Sequence, residues 1–202
     1  MLFGLIRIAL MAAMFCICFL LIQRSRTAHK RRYLIIAFVA TAMIITASVL
    51  IPPEKAFVSF SSPEAAYSYN HTGKAEIITD GELSSFVVAS RGDTYEYAII
   101  PKSGGRWKIG TGFDVKTAYN TLFDGVSVYV YRCGDTDDCF ITVTDTNGGW
   151  SEVSDDLGSE FQYLKKTDDE LNKSFYTYYA YINGFEGGYT LTVGEKTIEM
   201  MK

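Results

Sequence analysis

Two patterns of apolar residues divide the chain. The first is unbroken. "LFGLIRIALMAAMFCICFLLI" runs from Leu2 to Ile22 and "YLIIAFVATAMIITASVLI" from Tyr33 to Ile51. At about 1.5 Å per residue, a helix of some twenty residues crosses a hydrocarbon core of roughly 30 Å. These runs predict membrane helices at about 2–22 and 33–51. Arg7, near the end of the first, would snorkel toward the headgroups. The loop between them, 23–32, reads "QRSRTAHKRR" and is basic. Basic loops stay cytoplasmic, so both chain ends are expected outside. The first run is too long for a signal-peptide core, and no small-x-small site precedes the basic stretch.

Pro52 and Pro53 end the second run. Beyond them the apolar period shortens to two. Ser61 with Glu64 fits a capping box, and a short helix is expected from Pro63 to Tyr69. From Lys74 onward, runs rich in Val, Ile, Thr, Tyr and Phe alternate with Gly, Asp and Asn. They predict strands at 74–80, 84–90, 94–101, 105–110, 113–120, 125–132, 138–145, 149–154, 160–165, 174–183, 188–194 and 196–200. The expected fold is therefore an N-terminal transmembrane α-hairpin (1–51) followed by an all-β extracytoplasmic domain (52–202). That domain would be built of repeated antiparallel β-meanders with one short N-terminal helix.

The β-rich part repeats itself. "FVVASRGDTYEYAIIPKSGGRWKI" (86–109) and "VYVYRCGDTDDCFITVTDTNGGWSEV" (128–153) share Gly-Asp-Thr and a later Gly-Gly before Trp. A fainter third copy starts at Tyr178. A spacing near 42 residues suggests one supersecondary unit used more than once. The repeat also decides the meaning of Arg91-Gly92-Asp93. Its counterpart carries Cys133 in place of the arginine, so both triplets read as hairpin turns rather than adhesion sites.

Charge separates the two parts further. Residues 1–51 hold six Lys/Arg and no acid. Residues 52–202 hold 13 Lys/Arg against 23 Asp/Glu, a net charge of −10. Nucleic acid is excluded as a partner of so acidic a domain. Cys133 and Cys139 flank "GDTDD" across a hairpin, and in an oxidising compartment they are expected to form a disulfide. Cys16 and Cys18 read as small apolar filler of the first helix.

Candidate chemistry is sparse. His71 has no partner at a catalytic spacing, and no nucleophile elbow, zinc-protease or phosphate-loop motif occurs. "DTDD" and "DTNGG" lack the alternation and terminal Glu of a calcium loop. No catalytic residue, metal site or cofactor is expected. The aromatic supply stands out. "SFYTYYAYI" places Phe175, Tyr179 and Tyr181 on one strand face and Tyr176 and Tyr178 on the other. Such a strand is either central and buried on both faces or an exposed tyrosine surface for binding. The five residues are the candidate binding site.

The segments "FSSPEAAYSY", "KAEIITDGELSSFVVAS" and "YAIIPKSGGRWKIG" resemble uncharacterised exported or membrane-anchored β-rich proteins of Gram-positive bacteria. The resemblance covers Phe57 to Gly110 and implies an envelope location without implying an activity. The expected function is non-enzymatic binding or sensing at the bacterial cell envelope, from a two-helix, multi-pass anchor in the cell membrane. The expected partners are the lipid bilayer and an envelope glycan or membrane protein. An accessory subunit of a larger membrane complex is the second expectation, and an exported hydrolase the third.

Overall fold

A computed structural model describes residues 2–24, 29–50, 53–92, 94–168, 173–185 and 188–200. Two compact units divide at Phe57 and Val58.

The first unit holds helix α1 (Leu2–Arg24), helix α2 (Lys30–Leu50) and a 3-10 turn at Pro53–Ala56. Lys30 Nζ donates to the Gln23 carbonyl at 2.7 Å, which satisfies an end group of α1 and complements its dipole. Phe15 and Phe38 meet edge to face at 5.9 Å. The helices match the predicted runs, but their expected role is corrected. Among the described residues no helix is long and apolar enough to cross a membrane. Helix α2 opens on Lys30, Arg31 and Arg32, which take up its first turn. The transmembrane α-hairpin is therefore not supported. Neither is the multi-pass localisation, nor the extracytoplasmic placement of 52–202 that followed from it. The Arg7 side chain lies outside the described residues.

Among its described residues the second unit is all-β apart from helix α3 (Pro63–Asn70) and a 3-10 turn at Gly112–Asp114. Ser62 caps α3, its Oγ accepting from the Ala65 N–H at 3.2 Å, one residue later than the predicted cap. Proline at the first helical position needs no N–H there, which favours this register.

Among the described residues, twelve strands form three antiparallel sheets. Sheet I contains β1 (Lys74–Asp80), β2 (Ser84–Arg91), β3 (Thr94–Ser103) and β4 (Arg106–Trp107), in that order. Sheet II uses β5 (Val115–Phe123), β6 (Val126–Cys133), β7 (Asp138–Asp145), β9 (Gln162–Asp168) and β10 (Lys173–Asn183), ordered β5-β6-β7-β10-β9. Sheet III contains β8 (Val153–Asp155), β11 (Tyr189–Val193) and β12 (Lys196–Met200), ordered β12-β11-β8.

Strand alternation explains the stacking of these layers. In β2, Val87 and Ala89 face α3 with Ala66, Tyr67, Ala98 and Ile100. The intervening Phe86 and Val88 face sheet II, where they meet Phe140, Tyr179 and Cys133. On the far face of sheet II, Val126, Val128, Val130, Ile141 and Val143 pack on Leu191, Val193, Ile198 and Met200 of sheet III. The order of layers is thus α3, sheet I, sheet II, sheet III. Central strands buried on both faces lose the polar alternation of a half-solvated strand. Strand β7 is buried at seven of its eight positions.

The repeat holds at its hairpins and fails at its tryptophans. Gly92 and Gly134 both sit in the turn with positive φ, +61° and +55°. Trp107 lies in β4 and donates its Nε1–H to Ser85 Oγ at 2.7 Å. Trp150 is 62 % exposed outside any strand. The left-handed pair Gly148–Gly149 occupies the start of the expected strand 149–154, which shrinks to Val153–Asp155.

The predicted disulfide is also corrected. Cys133 and Cys139 are both free and buried. The residue opposite Cys139 is Arg132, not Cys133. That offset of one residue sends the two thiols to opposite faces of sheet II, Cys133 toward sheet I and Cys139 toward sheet III.

Candidate functional site

Strands β5 and β6 are joined by Asp124-Gly125. Both residues have positive φ, 45° and 77°, as the two-residue type I′ hairpin requires. Asp124 is the one non-glycine residue with positive φ among those described. This strained tip is braced from two sides. Thr146 N–H donates to the Gly125 carbonyl at 2.7 Å, and Lys196 Nζ donates to the Asp124 carbonyl at 2.6 Å. A Cβ at position 125 would collide with the Asn147 side chain, so the loop after β7 closes tightly over the turn.

Beside this tip lies an open cleft of about 400 Å³, lined by Asn120, Thr121, Leu122, Ser127, Tyr129 and Thr146. Every lining group is uncharged. Tyr129 supplies the aromatic surface and is 42 % exposed. Its ring belongs to a file that leads inward. Tyr129 stacks on Tyr131 at 6.1 Å, Tyr131 on Phe86 at 5.8 Å, and Phe86 on Phe140 at 5.4 Å. Burial and the neighbouring Tyr97 and Tyr129 raise the Tyr131 pKa, so the Tyr131 hydroxyl stays neutral at ordinary pH. A rigid ring with hydroxyl and amide groups around it can stack on an apolar face while bonding polar edges.

The residues predicted to bind are placed differently. Tyr178 and Tyr179 are 3 % and 1 % exposed, because β10 lies between β7 and β9 and both its faces are covered. Tyr178 OH accepts from the Ser151 N–H at 3.0 Å. Tyr181 OH donates to Asp138 Oδ1 at 3.1 Å. Tyr176 is half-buried against Tyr163, with Lys165 Nζ 5.9 Å from its ring centre. Phe175 is half-buried. Tyr176 and Tyr178 thus pack on the sheet III side and Tyr179 and Tyr181 on the sheet I side, and the five form no common exposed surface.

The acids near the repeat hairpins serve the scaffold. Asp138 is buried and accepts from Leu83 N–H at 2.8 Å, Ser84 Oγ at 2.7 Å and Tyr181 OH, which ties the β1–β2 turn to sheet II. Asp145 Oδ1 accepts from Asn147 N–H at 2.9 Å in an Asx turn, and Asp135 pairs with Lys116 at 2.5 Å. Asp155 accepts from Tyr189 OH and from Ser159 N–H, both at 2.7 Å. Among the described residues no cluster of three or more His, Cys, Asp or Glu is arranged to hold a metal. Arg91 pairs with Glu96 at 3.8 Å, and Asp93 of the Arg-Gly-Asp triplet lies outside the described residues. His71 is half-buried and stacks on Tyr67 at 4.6 Å; burial lowers its pKa.

The cleft residues were missed because the predicted strand stopped at residue 120. "TLFDGV" carried the signal: an exposed-type Leu-Phe pair immediately before Asp-Gly, the strongest short hairpin cue. No family model matches this chain, and no curated protein or solved structure matches it.

Proposed function

We propose that the β-rich unit is a non-enzymatic recognition module whose working surface is the cleft at the β5–β6 tip. The observation that carries this reading is the half-exposed Tyr129 ring set among uncharged hydroxyl and amide groups on a braced hairpin. A fixed aromatic platform binds with little ordering cost. The −10 charge of residues 52–202 disfavours acidic ligands, so the ligand is neutral or basic. Asp138, Asp145 and Asp155 are engaged in hydrogen bonds that brace loops and sheets, which favours binding over hydrolysis.

The test maps amide chemical shifts of the full chain with two neutral probes, an N-acetylglucosamine tetramer and a library of capped, uncharged peptides. Shifts grouped on Asn120, Ser127, Tyr129 and Thr146 are expected for at least one probe. Tyr129→Ala should weaken that binding by about 2 kcal/mol or more. Perturbations that cluster elsewhere, or that survive Tyr129→Ala unchanged, would remove the cleft as the working surface.

A further inference from the structure

We infer that the free edge of β5 takes up an extended, neutral or basic peptide segment of another protein as an added strand, with one of its side chains seated in the Tyr129 cleft. This inference rests on the recognition reading above and names its ligand.

Strand β5 is an edge of sheet II, paired on one side with β6. The turn geometry says which of its peptide groups are free. In a two-residue hairpin the closing pair, here Phe123 and Val126, exchanges hydrogen bonds. Alternate pairs then bond inward, namely Thr121 with Val128 and Tyr119 with Val130. Asn120 and Leu122 therefore turn their N–H and C=O groups outward. Both residues also line the cleft. A register shift between Thr117 and Tyr119 ends the regular edge on its other side. The docking edge is thus a short segment beside a side-chain pocket, which is the combination that strand addition uses.

Sequence composition along the edges supports the assignment. Exposed edges are normally guarded by charge against unwanted pairing. The opposite edge of sheet II, β9, carries Lys165 and Lys166, and β1, β4, β8 and β12 each carry charged residues. From Thr117 to Phe123, β5 carries none. It instead exposes Leu122 at 70 % and Phe123 at 51 %. An unguarded edge with apolar side chains is one kept available. Charge selects the occupant. A second copy would bring another acidic unit to the same place, with 23 Asp/Glu against 13 Lys/Arg in residues 52–202, and like charges oppose that pairing. A neutral or basic segment meets no such repulsion.

The experiment screens the full chain against an array of capped eight-residue peptides, uncharged, Lys-containing or Glu-containing, and titrates the best binder. Three variants are compared, each checked by thermal melting. Leu122→Lys installs the guard that the edge lacks. Asn120→Pro removes an outward N–H and leaves the bonds to β6 in place. Tyr129→Ala empties the cleft. Uncharged or Lys-containing peptides are expected to bind, and Leu122→Lys and Asn120→Pro should each weaken them about tenfold or more. If Tyr129→Ala loses a ligand that Asn120→Pro and Leu122→Lys keep, the cleft reading stands and strand addition is overturned. Binding of the N-acetylglucosamine tetramer alone likewise keeps the cleft and overturns strand addition. Preference for Glu-containing peptides overturns the charge argument and the proposal with it. A concentration-dependent dimer that Leu122→Lys dissolves would make the occupant a second copy and would also overturn it. No binding by any probe, with all variants folded, overturns both readings.

Discussion

The two faces of sheet II are packed by different chemistry. Toward sheet III the β6–β7 part of the sheet interlocks aliphatic side chains, Val126, Val128, Val130, Ile141 and Val143 against Leu191, Val193 and Ile198, while the rings there, Tyr119, Tyr178, Phe185 and Tyr189, sit around that patch. Toward sheet I they stack rings: Phe140, Tyr131 and Tyr179 meet Phe86, Tyr181 meets Phe140, and Tyr97 lies beside Phe86. Aliphatic packing is sealed and has no direction. Aromatic packing is directional, and its hydroxyls need partners where it ends. One end of the ring file meets Asp138 through Tyr181, and the other reaches solvent at Tyr129. The candidate site is thus the outer end of an internal interface.

Substitutions can break this contrast. The largest effect is expected from Phe86→Ala or Phe140→Ala, each removing a buried ring with several ring neighbours and costing about 3–5 kcal/mol in chemical denaturation. Loss of less than about 1 kcal/mol would mean the aromatic interface contributes little. Next comes Asp138→Ala, which leaves Leu83 N–H, Ser84 Oγ and Tyr181 OH without an acceptor; a loss of about 2–3 kcal/mol is expected. Ile141→Val on the aliphatic face should cost only about 0.5–1.5 kcal/mol. Tyr179→Phe should be nearly neutral, within about 0.5 kcal/mol, because its buried hydroxyl lies near Tyr97 and Thr177 without a well-formed hydrogen bond.

The smallest effect concerns alkaline pH. Burial first, and then Asp138, push the Tyr181 pKa from 10.0 up to about 12. A raised folded-state value means that its contribution is fully present below 10.0 and is lost as pH rises toward about 12. Melting curves of Tyr181→Phe between those pH values should fall less steeply than those of the parent chain. Equal slopes would show that Tyr181 does not carry that part of the pH dependence.

Many of the strand positions were legible because local pattern and tertiary role agreed. Strands β1, β7 and β12 have the predicted bounds, since Gly, Asp and Asn punctuate them in the sequence. Where the apolar pattern had two meanings, sequence alone did not choose. Strand β10 is aromatic on both faces because it is central, a fact of sheet order that its own residues do not encode. The thiol pair fell on a question of register. Cys133 and Cys139 flank a hairpin, yet one residue of offset in the ladder decides whether they face each other. Apolar length alone was a poor guide to the helices, where Lys30, Arg31 and Arg32 are part of α2 rather than of the loop before it. The cleft was hardest to find, because its residues are ordinary Asn, Thr, Ser and Tyr that acquire a role by meeting at one turn.

The separated thiols have a further consequence. Cys133 is shielded by sheet I and Cys139 by sheet III, six positions apart on one hairpin. Burial raises the Cys133 pKa, so it should stay unreactive until its cover lifts. A slow thiol reagent would then record two separate clocks, one for each outer layer. Variants lacking Cys16 and Cys18 would silence the helical background. If the layers open independently, the two cysteines label at different rates. If the unit opens as one body, their rates coincide, and the whole stack is a single cooperative unit.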